Sequence, residues 1–209
     1  MKKHLGPAVL LACLLLVPQA CSSDEPARRS DGIELGGDAE SSGSSDESAE
    51  AEPTRPAAPG EKVEDSVQVT AGEIAVEGAD EQQAADALVR YVRVRLEAFN
   101  RAQVDLPALA EVAIGDALAQ VRTYVAELQQ RKQHTVGTIR VNVSRVAVKG
   151  AAATIRTCMD NTSVDVDRRN RVVETDSPAA YLGTARARRV ADDAWLVSDV
   201  SIRFTDRCS

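Results

Sequence analysis

The feature that most limits the fold of this chain is a change of hydrophobic period near His134. Before it, apolar residues recur at helical spacing; after it, they alternate. Ala85, Leu88, Val92, Leu96 and Phe99 form one stripe of a helix that starts near Asp80 and ends between Asn100 and Gln103. Asp80 is placed to cap it, and Gln83 completes a capping-box pattern. Asp105 and Pro107 open a short second helix through about Val112. Gly115-Asp116 starts a third, whose apolar face is Ala117, Leu118, Val121, Val125 and Leu128, ending near Gln130. Beyond His134, Ile139, Val141 and Val143 alternate, and Val146 and Val148 continue in the opposite phase. A one-residue slip flips the faces, so a bulge is expected near Ser144-Arg145. Lys149-Gly150 turns the chain into a strand from Ala151 to Met159, with Ile155 inward. A ragged segment through Val164, Val166, Val172 and Val173 follows, then a strand over 181–188 and a turn at Asp192-Asp193. The last strand runs from Trp195 to Phe204, with Leu196, Val200, Ile202 and Phe204 assigned to one face. No helical pattern separates the strands, so the fold class is α+β, N-terminal helices followed by a curved antiparallel sheet.

Charge divides the chain upstream of these elements. Residues 22–62 carry a net −7, whereas residues 63–209 carry −2. The acidic part is rich in Ser, Gly, Glu, Ala and Pro, with Ser41-Ser42-Gly43-Ser44-Ser45 at its centre and Pro53, Pro56 and Pro59 breaking any helix. It holds too few large apolar side chains to offset the entropy of ordering, and is expected to be a disordered spacer. Val67-Gln68-Val69 and Ile74-Ala75-Val76 are read as loose, with docking as an edge strand the alternative. A nearly neutral domain on an acidic leash argues against a nucleic-acid partner, which requires a concentrated basic surface.

The first residues give an address. Lys2, Lys3 and His4 precede a short apolar run from Ala8 to Val17, about half the roughly 20 residues a membrane-spanning helix needs. A basic start, a short apolar core and a small residue at the exit describe a secretory signal peptide. Val17-Pro18-Gln19-Ala20-Cys21 resembles a bacterial lipobox, departing from it in having Pro18 where the family prefers Leu. The resemblance implies cleavage before Cys21, acylation of its sulfur, and a protein lipid-anchored at the extracytoplasmic face of the cell membrane. An ordinary signal peptide cut nearby would instead leave Cys21 free.

Cysteine usage agrees with export. Cys13 leaves with the leader and Cys21 is the anchor, so Cys158 and Cys208 remain as an even pair in an oxidising compartment, where a disulfide is expected. A two-cysteine metal site would need further ligands, and His134 is the lone histidine after the leader, so no metal and no cofactor are expected.

The helical start, the long hairpins and the closing Ala194-Trp195-Leu196-Val197-Ser198-Asp199-Val200 resemble NTF2-like domains, a cone-shaped fold of a curved sheet around a long helix. Many actinobacterial lipoproteins look similar: lipobox, acidic tether, NTF2-like domain and a cysteine pair with one member at the C-terminus. The organisation expected is a leader over 1–20, a tether over 21–77 and an NTF2-like domain over 78–209. The resemblance implies a cone whose candidate lining is Tyr91, Phe99, Tyr124, Tyr181 and Trp195.

Some NTF2-like relatives are isomerases or dehydratases, but function must come from the site. His134 falls at a helix–strand junction, where an exposed loop histidine is expected rather than a catalytic one. Tyr181 with Asp199 is the best acid–base pair available, yet Asp199 alternates with the apolar face and should point outward. Gly36-Gly37 and Gly183 lack the context of a phosphate loop, and no nucleophile motif surrounds a serine. Arg168, Arg169 and Arg171, with Arg186, Arg188 and Arg189, are read as solvated faces, a docking patch being the alternative. No catalytic residue is assigned. Two functions are expected from different classes: an anchored, non-enzymatic binding or accessory module for another envelope protein, or a small-ligand carrier or sensor using the mouth of the cone. A hollow cone with a few convergent polar groups would favour the second; Leu and Val filling it would remove it.

Overall fold

Among the residues described by the computed structural model (55–173, 177–191 and 194–208), three helices are followed by a long antiparallel meander, with one strand preceding the helices. The elements are β1 (Val67–Ile74), α1 (Ala79–Asn100), α2 (Leu106–Ala110), α3 (Gly115–Arg131), β2 (His134–Lys149), β3 (Ala152–Asn161), β4 (Val164–Val166), β5 (Ala180–Arg189) and β6 (Trp195–Thr205). Cys21, the leader and the expected turn at Asp192-Asp193 lie outside the described residues. The α+β class and the curved sheet read from the sequence are what the chain adopts.

The helices bury the stripes their spacing dictates. Ala85, Leu88, Val92, Leu96 and Phe99 of α1 are buried, as are Ala117, Val121, Val125 and Leu128 of α3. The expected cap of α1 is corrected: Gly78 occupies that position, Gln82 N–H donates to its carbonyl, and Asp80 lies inside the first turn, paired with Arg189. Asp105 does cap α2, accepting from Ala108 N–H at 3.1 Å, with Pro107 in the first turn.

The sheet order is β1-β2-β3-β5-β6, with β4 paired to β2 off this path. Val67-Gln68-Val69 and Ile74, read as loose with docking as an edge strand the alternative, do dock: Val67–Ile74 form the edge strand β1. It runs parallel to β2, with Val67 opposite Gly137 and Val69 opposite Ile139. A parallel neighbour requires a crossover, and α1 to α3 supply it. The boundary at residue 78 therefore moves upstream. Ala57 and Val63 also pack on a small second cluster of Val136, Val164, Val166 and Val172, and Gly60 N–H donates to the Val172 carbonyl at 2.7 Å.

Two bulges curve the antiparallel part of the sheet. The first is where the phase change placed it: β2–β3 register shifts between Val143 and Arg145, so Val143, Val146 and Val148 all reach the main core. The second slips β6 against β5 at Ser198, pairing Arg186 with Asp199 but Ala187 with Val197. It corrects the assigned face of β6. Trp195 and Val197 join Val200 in the core, while Leu196 lies across from Arg188 outside the main cluster. Gly137 makes the kink at which β2 leaves β4 and takes up β3. Its φ is +113°, and a Cβ there would come within 2.8 Å of Ser163 Cα and the Thr162 carbonyl oxygen.

Cys158, on β3, is bonded to Cys208, beyond β6, across a Cα separation of 5.6 Å. The bond ties the C-terminal segment across β5 to the middle of the sheet. Asn161, the last residue of β3, is 1% exposed, and its Oδ1 accepts from Ser163 N–H at 3.1 Å.

Candidate functional site

A cavity of about 650 Å³ lies between α1 and α3 on one side and the concave face of the sheet on the other. The core fills the opposite end: Trp195, Leu88, Val143 and Ile155 are all 2% exposed or less. The cavity end is lined by aromatic rings and a few polar groups. Tyr91, Arg95 and Phe99 stand at i, i+4 and i+8 on α1 and so project along one line of the helix. Tyr124 comes from α3, Asp165 from β4, Tyr181 from β5, and Val200, Ile202 and Phe204 from β6.

Of the five residues expected to line the cavity, Tyr91, Phe99, Tyr124 and Tyr181 do so. Trp195 does not. It is 2% exposed in the core, with the Arg189 guanidinium 4.7 Å from its ring centroid. The slip at Ser198 sets it on the filled half of the sheet.

The rings pack on one another. Phe99 and Tyr124 have centroids 4.5 Å apart, and Tyr181 meets Phe204 edge-on at 5.9 Å. Such pairs add to their area burial and fix the walls. Each hydroxyl has a defined neighbour. Tyr124 donates to Asp165 Oδ2 at 2.8 Å, and Thr135 Oγ1 donates to Asp165 Oδ1 at 2.7 Å. Tyr91 donates to the Ala117 carbonyl at 3.3 Å. Tyr181 receives the Asn161 side-chain amide at 3.5 Å.

Burial pushes the Tyr124 hydroxyl far above the ordinary tyrosine range, and the Asp165 carboxylate it donates to pushes the same way. Tyr91 and Tyr181 are also raised by burial, with the positive charge of Arg95 partly opposing it in both. All three hydroxyls are therefore neutral donors at physiological pH. Arg95 acts on each of these tyrosines and lies 5.2 Å over the Phe99 ring. No carboxylate of a described residue stands within 4.0 Å of it.

Residues singled out for chemistry elsewhere do not converge here. Asp199 is half-buried in a separate depression with Arg186 and Arg188; its charge reaches Tyr91, but it does not line the cavity to which Tyr181 belongs. The expected exposed position of His134 is corrected: its side chain is 18% exposed, with Nε2 3.3 Å from Asp65 Oδ1, outside the cavity. Arg169 and Arg171 give their backbone N–H groups to Asp167, which holds that carboxyl below its usual range. Arg186 and Arg188 lie on β5 with Asp199 beside them. Among the described residues no group of three or more His, Cys, Asp or Glu is placed to hold a metal ion. No helix there is long and apolar enough to cross a membrane.

Sequence reasoning missed Arg95 and Asp165. The signal for Arg95 was its place midway between Tyr91 and Phe99 on one helical line. For Asp165 it was alternation with Val164 and Val166, which point to the second cluster and send Asp165 the other way.

No family model matches the chain, and no curated protein matches it. Solved structures do. The intermembrane space region of chloroplast protein ARC6 aligns over 62% of this chain and 100% of its own, at 17% identity and a TM-score of 0.50. A ketosteroid isomerase-like protein from Erwinia carotovora atroseptica aligns over 60% of this chain and 96% of its own, at 16% identity and 0.42. A SEC-C motif containing protein from Rhodopseudomonas palustris aligns over 63% and 98%, at 11% identity and 0.33. At these identities the likeness speaks to fold alone, and the two lower scores carry no argument.

Proposed function

We propose that this chain is a non-enzymatic small-ligand-binding module of the NTF2-like kind, held at the extracytoplasmic face of the cell membrane by acyl chains on Cys21. The observation that carries the binding role is the cavity of about 650 Å³, walled by aromatic rings and supplied with polar groups. That volume lies within the range for small-molecule sites of about 300–1,000 Å³. Binding is favoured over catalysis by the state of the polar groups. Each Asp165 oxygen already accepts from a hydroxyl donor, and Tyr91 donates its hydrogen bond to a backbone carbonyl, so these groups are oriented by the fold and not aimed at a substrate proton. Phe204, 68% exposed beside the cavity, supports a second role in which the mouth also meets an envelope protein partner.

The binding role is tested by fluorescence titration with N-phenyl-1-naphthylamine, a neutral apolar probe. One saturable site per chain is expected, and no saturable enhancement would remove the role. The anchor is tested by Cys21→Ser, which should move the protein from the membrane to a soluble fraction or the medium; retention in the membrane would contradict lipidation there.

A further inference from the structure

Arg95 is the one cationic side chain among the described residues lining the cavity. Its stem lies on α1 between Tyr91 and Phe99, and its guanidinium is held over the Phe99 ring. The acids around it are differently engaged. Asp165 accepts from Tyr124 and Thr135. Glu127 is paired with Arg131 at 3.8 Å. Asp116 is exposed in the first turn of α3, where the helix dipole favours a negative charge. The fold thus supplies partners or a favourable field to the carboxylates of this cavity, while Arg95 has an aromatic face and tyrosine hydroxyls but no described carboxylate. A planar guanidinium presents paired N–H donors that match a carboxylate. On the far wall, Tyr181, Val200, Ile202 and Phe204 offer an apolar surface, with Phe204 68% exposed and Ile202 38% exposed.

We infer that the cavity selects amphiphilic carboxylates, with Arg95 receiving the carboxylate and the β5–β6 wall receiving the apolar body. The inference rests on the ligand-binding role proposed above and narrows its ligand class. The three tyrosine hydroxyls, held neutral, flank the headgroup without opposing its charge. Such a ligand would also cover Phe204 and Ile202.

The test compares three ligands of one chain length, decanoate, decanol and decyltrimethylammonium, by calorimetric titration of the purified protein at pH 7. Decanoate should bind at least about tenfold more tightly than decanol, the usual consequence of one charge-assisted hydrogen-bonded pair. Arg95→Met keeps an apolar stem on Phe99 and should remove that preference while leaving decanol affinity within about twofold. Arg95→Lys should keep part of it, and it guards against misreading a folding defect in the first variant. Equal affinity for decanoate and decanol in the parent protein would overturn the inference while leaving the ligand-binding role intact. So would tightest binding of the cation, or an unchanged preference in Arg95→Met. Failure of all three ligands to bind would instead count against the ligand-binding role itself.

Discussion

Reducing the Cys158–Cys208 bond should cost this domain a large part of its thermal stability. The bond closes a loop with a sequence separation of 50. In the chain-entropy model, a loop of that length restricts the unfolded ensemble by about 4 kcal/mol. The folded state loses little when the bond opens, because β6 remains paired with β5 along its length, from Arg189 opposite Trp195 to Ala180 opposite Thr205. The effect therefore falls on the unfolded chain. For a domain of this size each kcal/mol moves the melting temperature by roughly 2–4 °C, so the fall should be about 8–16 °C. The assay is far-UV circular dichroism melting with and without a strong phosphine reductant, with a thiol count confirming that both cysteines are free. The double variant Cys158→Ala, Cys208→Ala should melt like the reduced protein. A fall of less than about 2 °C with both thiols free would refute the reasoning, since the loop would then not restrict the unfolded chain as its length requires.

Two further outcomes follow from single features. Gly137→Ala should destabilise the protein by about 2 kcal/mol or more, because φ is +113° and the new Cβ meets backbone, which cannot swing aside; an unchanged denaturant midpoint would contradict the kink. The three tyrosines of the chain all line the cavity and all are raised above 10.0, so their ionisation, followed at 295 nm, should lag behind that of the denatured protein. The neutral forms are the ones the fold favours, so this stability is complete below the unfolded value near pH 10 and is lost as pH rises through the higher folded values. Coincident titration of native and denatured protein would contradict the burial.

Much of the fold was legible because its signals are local. The stripes of α1 and α3 follow from spacing within one element, and the first bulge from the phase change between Val143 and Val146. The second bulge was not legible. Leu196 and Val197 are both apolar, so the slip at Ser198 leaves no break in the pattern, and Leu196 was therefore given the inward face that Trp195 and Val197 occupy. β1 was left open between loose chain and edge strand for a different reason. Its partner in β2 lies about 70 residues downstream, and a parallel pairing at that distance has no local signature. Tyr91, Phe99, Tyr124 and Tyr181 lie on the cavity wall, where large aromatic rings mark the inward stripes. Arg95 and Asp165 were passed over because charge on an inward stripe is ordinarily assigned to solvent.

The most direct test of the ligand-binding role is to fill the cavity and ask whether binding disappears. Thr123 is exposed and lines it, so Thr123→Trp can occupy the space without disturbing the core. With the melting temperature of the unliganded protein unchanged, the variant should lose saturable binding of N-phenyl-1-naphthylamine. Binding as tight as that of the parent protein would mean that the probe sits elsewhere and that the cavity is not the site.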